Sequence, residues 1–124
     1  MSKIVVVSAA PDRLSDFIEA LRTAAGTPLR VAPTAEAALT AAREDAPYLM
    51  VIDERVDWPV FALVKEIMMV NAMIHTAVIS SQSADAFHDT AEGLGILMQL
   101  PVPPGPLDAA TLMNRVGEVT APLP

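Results

Sequence analysis

The chain has 124 residues, of which 52% are hydrophobic and 19% charged. That is enough for one domain with a real core, and too apolar for a disordered segment. Its 15 acids and 8 bases leave a formal net charge of −7, with the bases scattered singly. This argues against a nucleic-acid partner, whose affinity rests on clustered Lys and Arg contacts to phosphate. The chain has no cysteine, which excludes disulfides and thiolate metal sites.

Taken in order, MSKIVVVSAA has too short an apolar stretch for a signal peptide and reads as a first strand over Ile4 to Val7. Nothing approaches the roughly 20 apolar residues that span a bilayer, so the expectation is a soluble, cytoplasmic protein without membrane contact. Pro11 opens a first helix whose apolar residues are Leu14, Phe17, Ile18 and Leu21, and Gly26 is its natural C-terminal cap. A strand over Leu29 to Ala32 follows, then a second helix capped by Thr34 and running to about Glu44. After Pro47, Tyr48 to Asp53 is a second continuous apolar strand. The third helix is expected from about Pro59 to Val70, with Leu63, Ile67 and Val70 on one face. Thr76 to Ser80 is the fourth strand, and Ser83 caps a fourth helix that Gly93 closes. Ile96 to Leu100 is the fifth strand. Past the proline segment PVPPGP, a last helix carries Leu107, Leu112, Val116 and Val119.

Five repeats of strand then helix imply a parallel sheet with helices on both faces and right-handed crossovers. Functional residues of such sheets collect at the carboxyl ends of the strands. Those positions are Ser8-Ala9-Ala10, Asp53-Glu54, Ser80-Ser81 and Leu100-Pro101. The arrangement resembles the receiver domain of two-component response regulators over almost the whole chain. Asp53 in LMVID stands where that family's phosphoacceptor ends strand 3, and Ser80 in TAVISS where a Ser or Thr ends strand 4. Gly93 precedes strand 5, and Pro101 matches the Pro of a Lys-Pro pair.

The resemblance implies a flavodoxin-like three-layer α/β/α sandwich with strand order 2-1-3-4-5, as one domain over residues 1–120 with a tail at 121–124. It also implies a cis bond before Pro101, and a switch position on strand 5 at Leu97. The sequence departs from the family where charge is needed. The acidic pair falls on Ser8 and Ala9, and the Lys on Leu100. Phosphoryl transfer depends on neutralising charge at the equatorial oxygens, and Mg²⁺ wants hard oxygen ligands that usually include one or two carboxylates. Neither supply is visible: Glu54 is directed away from its neighbour Asp53 if the strand continues, and Asp12 lies on a first helical turn. Mg²⁺ binding is therefore expected to be weak or absent, with no cofactor and no metal site. Asp53 reads as a retained carboxylate that caps a backbone amide or pairs with Arg55 or Lys65.

Other chemistry finds no support. His75 and His88 have no ligand or nucleophile partner at useful spacing. There is no Gly-rich phosphate loop and no Gly-x-Ser-x-Gly elbow, so the chain is not expected to be an enzyme. Two surfaces suit a protein partner. One is the methionine-rich KEIMMVNAMI, where Met68 and Met69 cannot both face the sheet and Met69 is the candidate contact. The other is helix 4, strand 5 and helix 5, with Phe87, Leu94, Leu97 and the stiff proline loop; receivers commonly dimerise or dock there.

The first expectation is a stand-alone pseudo-receiver that signals to a sensor kinase or downstream target by protein contact, without Mg²⁺-dependent phosphorylation. Two alternatives share the fold: a receiver phosphorylated on Asp53 by a dedicated kinase, with Trp58 close enough to report Mg²⁺, and a module binding a small ligand near Ser8, Ser80 and Ser81. A further alternative, a domain of the anti-sigma-antagonist type, would require a mixed sheet.

Overall fold

In a computed structural model of the chain, residues 3–120 are described; the expected tail at 121–124 lies outside them. The strands are β1 (Ile4–Val7), β2 (Leu29–Ala32), β3 (Leu49–Asp53), β4 (His75–Ile79) and β5 (Ile96–Leu100). They are joined by α1 (Ser15–Ala25), α2 (Ala35–Asp45), α3 (Val60–Val70) and α4 (Ala84–Ala91), and α5 (Pro106–Thr120) follows. Pro11–Leu14 forms a short 3-10 turn ahead of α1. The sheet order is β2-β1-β3-β4-β5, with every pairing parallel. The flavodoxin-like architecture is thus the one expected, and the mixed-sheet alternative is excluded.

Burial explains the strand sequences. All four residues of β1 are fully buried, as are Leu49 to Ile52 of β3, because helices cover both faces of the sheet. On one face Phe17 and Leu21 of α1 meet Ala109, Leu112 and Val116 of α5 over Ile4, Val6, Leu49 and Val51. On the other, α2 contributes Ala35, Ala38, Ala41 and Ala42, and α3 contributes Leu63, Val64 and Ile67, over Val5, Val7, Met50 and Ile52.

The caps follow local chemistry. Thr34 accepts a hydrogen bond from the Ala37 amide at 3.1 Å, and Ser83 from the Ala86 amide at 3.2 Å, satisfying donors that the first helical turn leaves free. Gly26 takes φ 65° and ends α1, a conformation that costs glycine nothing. α5 carries all four apolar residues expected of it, but its core face is Ala109, Leu112 and Val116, whereas Leu107 and Val119 are exposed. Leu107 is five residues before Leu112, which at 100° per residue turns it about 140° from that face.

Tyr48, just before β3, lies half-buried beside Met113, Val116 and Gly117 of α5. Burial raises its phenol above the ordinary value of 10.0, because desolvation disfavours phenolate. A raised folded-state value gives stability that is fully present below the unfolded value and lost as pH rises through the folded one. Stability should therefore start to fall above about pH 10, and Tyr48→Phe should remove that part of the decline. As this is the only tyrosine, phenolate absorbance followed alongside alkaline unfolding reports it directly. A phenol titrating at its ordinary value would contradict the assignment.

Candidate functional site

The register builds the site. Val7 pairs with Ile52, so the next residues, Ser8 and Asp53, stand side by side at the carboxyl edge. Both are buried, Ser8 at 0% and Asp53 at 2% exposure. The Ser8 hydroxyl donates to Asp53 Oδ2 at 2.6 Å and accepts from the Ala10 amide at 3.0 Å. Asp53 Oδ1 accepts from the Arg55 amide at 3.2 Å, so the carboxylate caps the turn that leaves β3. Ala9 is exposed, and its amide donates to the Arg55 carbonyl at 2.8 Å.

A cavity of about 380 Å³ opens over Asp53, lined by Arg13, Leu14, Arg55, Ile79, Val102, Pro103 and Pro104. Leu100, the position matched to the family's Lys, is not part of it. Its side chain is fully buried with Ile79 and Leu112, since β5 continues through it: Leu100 pairs with Ile79, and its carbonyl accepts from the Ser80 amide at 3.0 Å. The β4–β5 register shifts between Thr76 and Ala77, which leaves Leu97 as the extra residue of β5. Only after Leu100 does the chain curl across the site, bringing Val102 beside Asp53. The cis bond is Val102–Pro103, so the cis bond expected at Leu100–Pro101 is corrected by two residues. No cation comes from β5 or the loop after it, since Val102 is as apolar as Leu100; the cationic side chains of the lining are Arg13 and Arg55.

Two acids close to Asp53 in sequence, Glu54 and Asp57, are committed elsewhere. Glu54 accepts from the Ser81 amide at 2.7 Å and from its hydroxyl at 3.1 Å, which clasps the β3 loop to the β4 loop. Asp57 accepts from the Ala35 amide at 2.7 Å, at the start of α2. Among the described residues, no group of three or more His, Cys, Asp or Glu side chains is placed to hold a metal ion. The receiver family's Mg²⁺ does not fit these residues. One carboxylate with both oxygens already accepting hydrogen bonds, beside a serine and an alanine, lacks the charge that such an ion needs.

Ser80 belongs to a separate recess with Ser81, Gln82, Gln99, Pro101 and Val102, where its hydroxyl accepts from the Gln82 amide at 3.1 Å. Ser8, Ser80 and Ser81 therefore do not share one pocket. Gln99, missed from the sequence, donates to the carbonyls of Ser80 at 3.2 Å and Gln82 at 2.8 Å, tying β5 to the β4 loop. Arg13 was also missed, because only the 3-10 turn after β1 carries it back over Asp53. Trp58 is 41% exposed and does not line the cavity.

The candidate contact surface changes too. Phe87 is 7% exposed, tilted at 55° to Phe61 with ring centroids 5.5 Å apart, so most of its ring packs with the core while it also lines a recess with His88 and Leu97. Leu94 is half-buried against the same core, and Leu97 against the opposite one. Met69, by contrast, is 76% exposed, and Met73 after it 81%. No described helix is long and apolar enough to cross a membrane.

No family model and no curated protein matches the sequence. Solved structures do match its fold. The chain is similar to the receiver domain of NtrX from Brucella abortus, at 22% identity and TM-score 0.79 over 94% of this chain and 99% of that one. It is similar to a CheY-like response regulator receiver domain protein from Methanospirillum hungatei, at 14% identity and TM-score 0.79 over 95% of each. It is also similar to a putative pilus assembly-related protein from Burkholderia pseudomallei, at 17% identity and TM-score 0.78, over 98% of this chain and 93% of that one. What these likenesses establish is the fold, and it is that of receiver domains.

Proposed function

We propose that this chain is a pseudo-receiver, a signalling domain that acts by contact with a protein partner and without Mg²⁺-dependent phosphorylation of Asp53. One observation carries the reading: the strand-end carboxylate is buried and held by the Ser8 hydroxyl and the Arg55 amide, where a working receiver needs a metal between carboxylates. The partner, a sensor kinase or a downstream target, would meet an acidic chain whose exposed apolar residues include Met69 and Met73. Flexible, polarizable methionines suit such contacts. The α4–β5–α5 face is a second candidate, for self-association.

The test is direct. Incubation with acetyl phosphate and Mg²⁺, followed by intact mass measurement, should leave the mass unchanged. Gain of one phosphoryl group, abolished in Asp53→Asn, would overturn the proposal and favour a phosphorylatable receiver.

A further inference from the structure

The geometry points to the cavity over Asp53 as a binding site for a small zwitterion of the amino-acid class, one with an apolar side chain. This goes beyond the signalling role and does not depend on it. The lining carries both signs of charge, and each of these side chains still has capacity to bind.

Asp53 is the negative group, 2% exposed at the cavity. Its two hydrogen bonds come from a hydroxyl and an amide, both neutral. A carboxylate has about four lone-pair sites, so about half are engaged. None of the ion pairs formed by the described residues includes Asp53. A buried charge without a countercharge is unfavourable, and an ammonium group that donates to the remaining lone pairs would relieve it.

Arg13 and Arg55 are the positive groups. Both line the cavity, both are exposed, and neither belongs to those ion pairs. A guanidinium presents paired donors that match a carboxylate. The rest of the lining is Leu14, Ile79, Val102, Pro103 and Pro104, an apolar wall stiffened by two prolines that lose little entropy on binding. A volume of about 380 Å³ is within the range of small-molecule sites.

The charges select the ligand. A simple anion would be repelled by Asp53, and a simple cation by Arg13 and Arg55. A molecule carrying an ammonium and a carboxylate on one small frame answers both, and its side chain covers the apolar wall.

Calorimetric titration of the full chain with L-leucine, N-acetyl-L-leucine, L-leucinamide and glycine tests this without any variant. L-Leucine should bind, and loss of either charge or of the side chain should weaken binding by about tenfold or more. Asp53→Asn should weaken L-leucine while leaving N-acetyl-L-leucine unchanged or tighter, and Arg13→Gln with Arg55→Gln should abolish the preference for L-leucine over L-leucinamide. No heat with L-leucine, L-valine or L-phenylalanine at about 10 mM, or equal binding of the capped analogues, would overturn the inference.

Discussion

Ser8→Asp is expected to destabilise the fold by about 3–5 kcal/mol at neutral pH, the loss typical of an uncompensated buried charge. Ser8 is fully buried and donates to Asp53 at 2.6 Å. The substitution exchanges that donor for a second carboxylate against the first. Two like charges about 4 Å apart repel by about 4 kcal/mol at the effective dielectric constant suited to protein sites. Urea unfolding gives the number. Ser8→Asn, neutral and still able to donate, is the control and should lose about 1–3 kcal/mol. Millimolar Mg²⁺ should return part of the lost stability to Ser8→Asp by binding only the folded state, and should do nothing for the unaltered chain. If Ser8→Asp came within 1 kcal/mol of the parent, Asp53 would not be a buried charge beside Ser8.

Phe17→Ala should be as severe, at about 3–5 kcal/mol for a buried aromatic truncated to a methyl group. Phe17 has 0% exposure and is among the largest side chains of the α1–α5 face. Its ring lies in the cluster that holds Leu21, Val6, Val51, Leu100 and Leu112 together. Those neighbours come from the sheet and both helices, so none can move in to fill the space without shifting an element. Met69→Ala serves as the contrast. At 76% exposure it should change the unfolding free energy by no more than about 0.5 kcal/mol. Similar losses for the two would mean that the core has been assigned to the wrong residues.

The fold was legible because its signals are local. IVVV and LMVID are continuous apolar runs that only strands covered on both faces explain, and Thr34, Ser83 and Gly26 mark helix ends through chemistry within one turn. Asp53 was legible as a position for the same reason. What surrounds it was not. The extra residue at Leu97 decides where β5 ends and so whether Leu100 or Val102 reaches the aspartate, and no local pattern announces it. The Phe61–Phe87 pair and the Glu54–Ser81 clasp join residues more than 20 apart in sequence. Arg13 and Arg55 are brought together by a turn and a strand end that each look ordinary alone.

The alanine face of α2 has a consequence of another kind. Ala35, Ala38, Ala41 and Ala42 let the helix lie close to the sheet, but four methyl groups bury far less apolar surface than the leucines and phenylalanine of α1 and α5. The neighbouring β2 is an edge strand with only Ala32 fully covered. Cohesion is therefore graded across the molecule, strongest where α1 meets α5 and weaker at the two sheet margins, since β5 on the far side has only Leu100 fully covered and α4 above it buries only Phe87. Those margins are where local opening is expected before the α1–α5 side gives way.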